Sequence, residues 1–560
     1  MFSVDIAWGQ TKVINGRFDD WQAIDLRFED LAGDGRSGSI DFRDLYMSDD
    51  DENIYLRIQL TREIEIQEFE DLNLYIDMDN NPNTGIYFLN FGVDFVYRFG
   101  QREGFVKVGD QFYDIFHNDF NLITLPTVSA SEFEISFSKE VDIFQGTFSF
   151  SDQINFVLLD DQPGGDRLPD NGPLSYSMTN AIYTPSPYQI NKSTADDTRL
   201  LSYNALQDGL FDTDRQPAFQ RLITAIDPEI ICFQEIYDQN AFEVAQVIES
   251  FLPSGPNEVW YHSSVSPDIH IISRYPITQT VASDGNGIFK LTTPDGPLIV
   301  INAHLPCCNR DEDRQGEVDR ILNFIRNSKD GLTNMEIPEN TPIIITGDMN
   351  FVGDRQQKIS LLTGDIIAEQ LYGSDFDPDW DGTAFEDAVP LVTNSNSAVT
   401  WFNPNGSFSS GRLDYFMYTG SVLELNNAYA LNTTTLPSAQ LTALNLERSD
   451  TYTASDHFPI VMDIDMSMNS DIRSSILIDE RLEVFPNPSS GTFNVTVNAP
   501  YLSIESVEIN AVSGKNVFSQ HDVEMSADGL MLELNHLDAG IYFIKIEIDE
   551  IQVVKKIVIL

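Results

Sequence analysis

Val318-Asp319-Arg320-Ile321-Leu322-Asn323-Phe324-Ile325, followed by Ile343-Ile344-Ile345-Thr346-Gly347-Asp348-Met349-Asn350, is the pair of stretches that decides the fold. Val318, Ile321, Leu322 and Ile325 fall at helical spacing, and the isoleucine run after them reads as a buried strand. The pattern also stands upstream, where Phe219, Leu222, Ile223 and Ile226 precede Ile230-Ile231-Cys232-Phe233. Helices alternating with apolar strands predict a layered α/β domain over residues 198–466.

On either side the pattern changes. Residues 13–182 alternate apolar and polar side chains in short runs such as Ile54-Tyr55-Leu56-Arg57-Ile58-Gln59-Leu60, broken by turn clusters such as Asp77-Met78-Asp79-Asn80-Asn81-Pro82-Asn83-Thr84-Gly85. Many short strands with such turns predict an antiparallel β-sandwich. A Pro/Ser/Thr-rich linker over 183–197 follows, and a second linker over 467–480 opens with Ser467-Met468-Asn469-Ser470. Residues 481–560 read as a small β-sandwich, with runs such as Phe493-Asn494-Val495-Thr496-Val497. The expected fold class is therefore multidomain.

Composition removes several function classes. The chain has 560 residues, 33 Lys+Arg and 88 Asp+Glu, a formal net charge of −55. Such a chain is not a basic nucleic-acid binder that works by counterion release. An enzyme acting on nucleic acid stays open, because turnover needs only local positive charge. Three cysteines, two of them adjacent at Cys307-Cys308, cannot build a disulfide scaffold. There is no apolar run long enough for a transmembrane segment.

In the middle domain, strand after strand ends or begins in polar and ionisable residues. Ile230 to Phe233 ends in Gln234-Glu235, Leu298 to Ile301 runs to Asn302-Ala303-His304, and Ile343 to Ile345 runs to Gly347-Asp348-Met349-Asn350. Arg412-Leu413-Asp414-Tyr415 begins another strand, and Ser455-Asp456-His457 precedes Phe458-Pro459-Ile460-Val461-Met462. Neighbouring strand ends converge in space, so these groups can line one cleft. No Gly-x-Ser-x-Gly elbow, zinc-ligand spacing or Gly-rich phosphate loop is found. Carboxylate and amide oxygens suit a hard ion such as Mg²⁺ (or Mn²⁺), and two histidines beside acids can bind and protonate phosphoryl oxygens. The inventory fits metal-assisted phosphoester hydrolysis.

The ordered set Ser202-Tyr203-Asn204, Gln234-Glu235, Ser273-Arg274-Tyr275-Pro276-Ile277, Asn302-Ala303-His304-Leu305, Gly347-Asp348-Met349-Asn350, Arg412-Leu413-Asp414-Tyr415 and Ser455-Asp456-His457 resembles the endonuclease/exonuclease/phosphatase superfamily. The resemblance implies a four-layer α/β sandwich of two mainly antiparallel sheets flanked by helices. It implies Glu235 as principal metal ligand, with Asn204 close to the ion and phosphate and Asp456 close to the metal. It makes Asp348 the group that orients and deprotonates the attacking water, and Asn350 the group that fixes phosphate or water. His457 then contacts the phosphate, Asp414 orients its imidazole, and His304 binds phosphate or protonates the leaving oxygen. Three neighbouring pairs read as structural. Asp268 and His270 read as strand surface, Cys307-Cys308 as an ordinary loop, and Arg314 and Glu317 as the exposed start of a helix.

The tail, with Val484-Phe485-Pro486-Asn487-Pro488, Ser513-Gly514-Lys515, Leu537-Asp538-Ala539-Gly540-Ile541-Tyr542 and Val554-Lys555-Lys556-Ile557-Val558, resembles a C-terminal sorting domain of type IX secretion. That implies export to the cell surface or outside, with the secretion machinery as a partner. Met1-Phe2-Ser3-Val4-Asp5-Ile6 lacks the basic and apolar regions of a signal peptide, so a preceding segment is expected. The N-terminal stretches Asn15-Gly16-Arg17-Phe18-Asp19-Asp20-Trp21 and Leu74-Tyr75-Ile76-Asp77-Met78-Asp79 resemble sandwich modules related to family 9 carbohydrate-binding modules. There Asp77, Asp79 and Asp94 could hold Ca²⁺, and glycan is the ligand class implied.

The expected function is a secreted divalent-metal phosphodiesterase, foremost a nuclease acting on DNA. The net charge opposes polyanion binding, an effect that shrinks in saline water, where the Debye length is about 3 Å at 1 M salt. One alternative is a phosphomonoesterase or phospholipase C-like enzyme acting on sugar phosphates or phospholipid. Another is an inactive surface protein that binds glycan through its first domain.

Overall fold

A computed structural model describes residues 11–36, 38–144, 146–466, 482–497, 504–521, 530–548 and 551–560. Residues Met1 to Ile6 and the linker 467–480 lie outside the described residues. The described residues divide into two compact units, one ending at Asp465 and one beginning at Met466.

In the first unit, two β-sheets face each other across an N-terminal core. One runs Leu26–Glu29, Phe42–Asp49, Asn53–Ile64, Ala130–Ser138, Ile123–Leu125; the other centres on Gln153–Asp160, Leu72–Asp77, Phe95–Arg98 and Glu103–Val108. Alternation puts Ile54, Leu56 and Ile58 in that core with Leu74, Ile76 and Phe95.

The α/β part of the same unit is built on two further sheets. The first orders Tyr261–Ser264, His270–Ser273, Ile230–Gln234, Thr198–Asn204, Ile460–Asp465, Glu424–Ala430 and Leu391–Val392. The second orders Ile277–Ser283, Asn286–Thr293, Gly296–His304, Ile343–Asp348, Asp414–Tyr418 and Glu386–Asp387. Each contains one parallel pair, Thr198–Asn204 with Ile230–Gln234 and Gly296–His304 with Ile343–Asp348, in an otherwise antiparallel ladder apart from the short Leu391–Val392 edge. Helix Gln216–Ile226 buries Phe219, Leu222, Ile223 and Ile226 against the first sheet. Helix Asp311–Lys329 buries Val318, Ile321, Leu322 and Ile325 against the second. The predicted layering of helix, sheet, sheet and helix is what forms. Polar bonds tie the sheets together, with Gln234 Nε2 donating to Asn302 Oδ1 at 2.6 Å and Asn302 Nδ2 donating to the Phe233 and His270 carbonyls.

Two expectations fail here. Arg314 is fully buried rather than exposed, donating to the Pro306, Cys308 and Val352 carbonyls, so it ties two loops together. Glu317 is half-buried and accepts from Asn286 Nδ2 at 2.8 Å. Within the linker 183–197 the Ser186 amide donates to Asn396, Ile190 is buried and Lys192 pairs with Glu229.

The second unit has sheets ordered Leu482–Phe485, Thr492–Val497, Leu530–Glu533 and Asn516–His521, Ile504–Ala511, Gly540–Ile548, Ile551–Ile559, closed on a core that includes Phe493, Val495, Ile544 and Ile557.

Gly347 marks where the second sheet is tightest. It has φ +133°, and a Cβ there would meet the Ala303 carbonyl oxygen at 1.9 Å. Gly347→Ala is therefore expected to destabilise the protein by about 3 kcal/mol or more. Gly316, in the helix Asp311–Lys329 with its nearest neighbour for a Cβ at 3.8 Å, should instead gain about 1 kcal/mol as Ala. Urea unfolding of both variants checks the contrast.

Candidate active site

Backbone register assembles the site before any side chain is considered. In the second sheet His304 stands opposite Asp348, and Asp348 opposite Asp414, so three candidate site residues lie abreast on three neighbouring strands. From the first sheet, Asn204 ends its strand opposite Gln234, and Glu235 follows with φ +60°.

The side chains converge on one atom. Asp348 Oδ2 accepts from Asn204 Nδ2 at 3.1 Å and lies 3.6 Å from both His304 Nε2 and His457 Nε2. Each imidazole is held from behind by a second carboxylate: His304 Nδ1 lies 2.9 Å from Asp268 Oδ2, and His457 Nδ1 lies 2.8 Å from Asp414 Oδ2. Asn204 Nδ2 also donates to Glu235 Oε1 at 3.0 Å, and the Gln207 amide donates to Glu235 Oε2. Asn350 adopts φ +47°, its amide donates to Asp348 Oδ1 at 3.1 Å and its Nδ2 donates to the Leu305 carbonyl.

Charges follow from this geometry. Burial alone would lower the His457 pKa, but Asp414 and then Asp348 override it and hold it at about 10. His304 is likewise lowered by burial and raised more by Asp268 and Asp348, to about 9. Burial pushes Asp348 up, the two histidines pull it back, and it settles at about 6.

Two carboxylate triads have ligand atoms within 4.8 Å of one another: Glu235, His304 and Asp348; and Asp348, Asp414 and His457. Asp414 Oδ1 and Asp456 Oδ1 are buried with no partner. Hard oxygen donors with unmet capacity fit a divalent cation. Asn204 presents its amide nitrogen to the acids and its oxygen to the Leu206 amide, so ligation through that oxygen requires the amide to turn over. Asp456 is tied to Trp401, whose Nε1 donates to its Oδ2 at 3.1 Å, and its buried Oδ1 is the atom left for a cation. In the N-terminal sandwich, Asp77, Asp79 and Asp94 also come within 4.8 Å, and Asp94 Oδ2 is buried without a partner.

The structure brings in residues that sequence reasoning set aside. Asp268, read as strand surface, anchors His304 and accepts from the Glu235 amide at 2.7 Å. Only the strand pairing reveals it: His270 pairs antiparallel with Phe233, so the start of its strand lies beside the end that carries Glu235. His270 itself is buried, its Nε2 within 2.9 Å of the Ile236 and Pro267 carbonyls. Thr400 and Trp401 were not anticipated; Thr400 Oγ1 donates to Asp414 Oδ2 at 2.8 Å. Cys307 and Cys308 are free and exposed, in a loop as read.

Two family models match parts of the chain. Residues 201–457 match the Endonuclease/Exonuclease/phosphatase family, and residues 483–560 match the secretion system C-terminal sorting domain. Residues 201–457 are an endonuclease/exonuclease/phosphatase domain. Similar solved structures include humanized D. rerio TDP2, at 15% identity and TM-score 0.32 over 48% of this chain and 100% of that one. ANGEL2, a 2′,3′-cyclic phosphatase, aligns at 15% identity and TM-score 0.34 over 48% and 96%. The human Nocturnin catalytic domain aligns at 17% and 0.32 over 48% and 94%. No curated protein matches the chain. The endonuclease/exonuclease/phosphatase domain makes this chain a metal-dependent phosphoric ester hydrolase. Its sorting domain directs it to the cell surface or outside. Among the described residues, no helix is long and apolar enough to cross a membrane.

The raised histidines give a sign to pH dependence. Their folded pKa values exceed the ordinary 6.5, so their contribution to stability is complete below 6.5 and is lost as pH rises through about 9 and about 10. Asp348, raised from 3.8 to about 6, has already lost its own contribution by neutral pH. In EDTA, urea-unfolding stability should fall across the alkaline range, and the fall should be smaller in His457→Asn.

Proposed function

We propose that this chain is an exported phosphodiesterase acting on DNA, with Mg²⁺ or Mn²⁺ held by Glu235 together with Asn204 and Asp456. The observation that supports it best is the meeting of Asn204, His304 and His457 at Asp348 Oδ2. The bound cation would neutralise charge building on the phosphoryl group.

The chain's own residues supply the remaining roles. Asp348, a buried carboxylate with a pKa of about 6, is ionised at neutral pH and basic enough to orient and deprotonate a water. His457, held protonated by Asp414, presents Nε2–H to a phosphoryl oxygen. His304, held by Asp268, binds a second phosphoryl oxygen or gives its proton to the leaving oxygen. Asn350 fixes phosphate or water beside Asp348. Two cationic imidazoles beside a basic carboxylate favour direct attack by water.

A second reading has its own support. Asp208 accepts from the Tyr237 and Asp238 amides next to Glu235, and Asp268 closes the same side, so the mouth is acidic. An acidic mouth favours a small phosphoester, a phosphomonoesterase or a phospholipase C-like activity, over a long polyanion. An inert glycan-binding protein is disfavoured by the intact acid–histidine pairs. The proposed sequence units remain 13–182, 198–466 and 481–560, joined by 183–197 and 467–480. For the N-terminal unit we propose Ca²⁺ at Asp77, Asp79 and Asp94. Burial with Asp79 and Asp77 raises Asp94 to about 7, a cost that a cation relieves.

The deciding assay is hydrolysis of plasmid DNA and bis-p-nitrophenyl phosphate by the full chain in Mg²⁺, Mn²⁺ or EDTA. Metal-dependent nicking that falls about 10²–10⁴-fold in His457→Ala is the expected result. Diester cleavage without nicking selects the small-substrate reading, and no turnover on either substrate or on a phosphomonoester refutes the enzymatic roles. In parallel, Ca²⁺ at about 100 Kd should add about 2.7 kcal/mol to the stability of the native chain and nothing to Asp94→Asn.

A further inference from the structure

The segment Trp401-Phe402-Asn403-Pro404-Asn405-Gly406-Ser407-Phe408-Ser409-Ser410-Gly411-Arg412 has no apolar period and is rich in turn-forming Asn, Pro, Gly and Ser. Left to itself such a loop would sample many conformations. Yet its roots hold the acid side of the active site. Trp401 forms a bridge with His457 and donates to Asp456, Thr400 Oγ1 donates to Asp414, and the Phe402 amide donates to the Asp456 carbonyl at 2.9 Å.

The restraint comes from the N-terminal sandwich. The Ser409 amide donates to Gln67 Oε1 at 2.8 Å, and Gln67 Nε2 is itself fixed by donating to Thr124 Oγ1. His117 Nε2 lies 3.0 Å from the Gly406 carbonyl. The Arg102 guanidinium stands 4.1 Å from the Phe408 ring centroid. Ile123 bridges Ser410 in parallel fashion, and Thr127 Oγ1 lies 2.8 Å from the Phe351 carbonyl and 3.2 Å from the Arg412 carbonyl, its one proton shared between the loops of Asn350 and Asp414. A Cβ on Gly411 would meet Thr127 Cγ2 at 2.7 Å, so the loop approaches the sandwich as closely as its backbone allows.

We propose that the N-terminal sandwich is a working part of the active site, with Gln67, His117 and Thr127 acting as positioning residues that preorganise Asp414, Asp456 and His457. The inference rests on the reading of those three residues as the site's machinery. None of the sandwich residues touches the reacting atoms. Their effect is on the fraction of time the acid–histidine side is assembled, which appears in kcat more than in KM.

The test uses the full chain and bis-p-nitrophenyl phosphate. Gln67→Ala with His117→Phe should lower kcat roughly ten- to hundredfold with KM changed less than about threefold. Hydrogen exchange should rise in 401–412 and stay unchanged in the strand Ile343–Asp348. Gln67→Glu, which keeps the acceptor oxygen, should restore most of the rate when placed with wild-type His117. Arg98→Ala, removing an exposed pair with Glu103 on the same sandwich, should leave kcat as it was. If the double variant does not fold, Gln67→Ala alone and Thr127→Val against Thr127→Ser carry the same comparison. An unchanged kcat, a loss matched by Arg98→Ala, or exchange that rises throughout the chain overturns the proposal. If His457→Ala retains full activity, it is the reading of the site that fails instead.

Discussion

A single carboxylate oxygen, Asp348 Oδ2, organises this protein. It is buried, where an unpaired carboxylate is costly, and its partners, one amide donor and two imidazoles, come from separate places in the chain. Asn204 arrives from the other sheet, His304 from the neighbouring strand and His457 from the turn before Ile460–Asp465. Each partner has its own support in Glu235, Asp268 or Asp414. Close strand approach at Gly347 and the amide links through Asn302 keep the two sheets in the register this meeting requires. Moving any one strand would leave a charge buried without its counterpart.

The same economy extends outward. Arg314 joins the loop after His304 to the loop after Asn350 through three carbonyls. The sandwich reaches the opposite side through the 401–412 loop. The N-terminal and α/β parts therefore form one compact unit, while the sorting domain forms another with its own core. That division suits an exported enzyme whose address is read separately from its chemistry.

Local sequence revealed much of this because the strongest signals are local. Isoleucine runs and helical spacings gave the layers, and a polar residue after each run marked the strand ends that gather at the site. What stayed hidden depends on partners far away in sequence. Asp268 looks like strand surface until antiparallel pairing sets it beside Glu235. Arg314 looks like an exposed helix start, because nothing in its own turn announces three carbonyls waiting for its guanidinium. The 401–412 loop reads as featureless because its order is imposed by Gln67 and His117, hundreds of residues upstream. The tail was legible from its short motifs.

A negatively charged protein can still handle a phosphoester if positive charge is made where it is needed. Here the acids do this themselves, since Asp414 and Asp268 raise the two histidines that face Asp348. The most direct test of Asp348 as the hub is the metal-dependent kcat/KM of Asp348→Asn on bis-p-nitrophenyl phosphate, measured on protein whose circular dichroism matches the native chain. The account predicts a loss of at least about 10³-fold, since the isosteric amide keeps the shape and removes the charge and the base. A loss below about tenfold would contradict it.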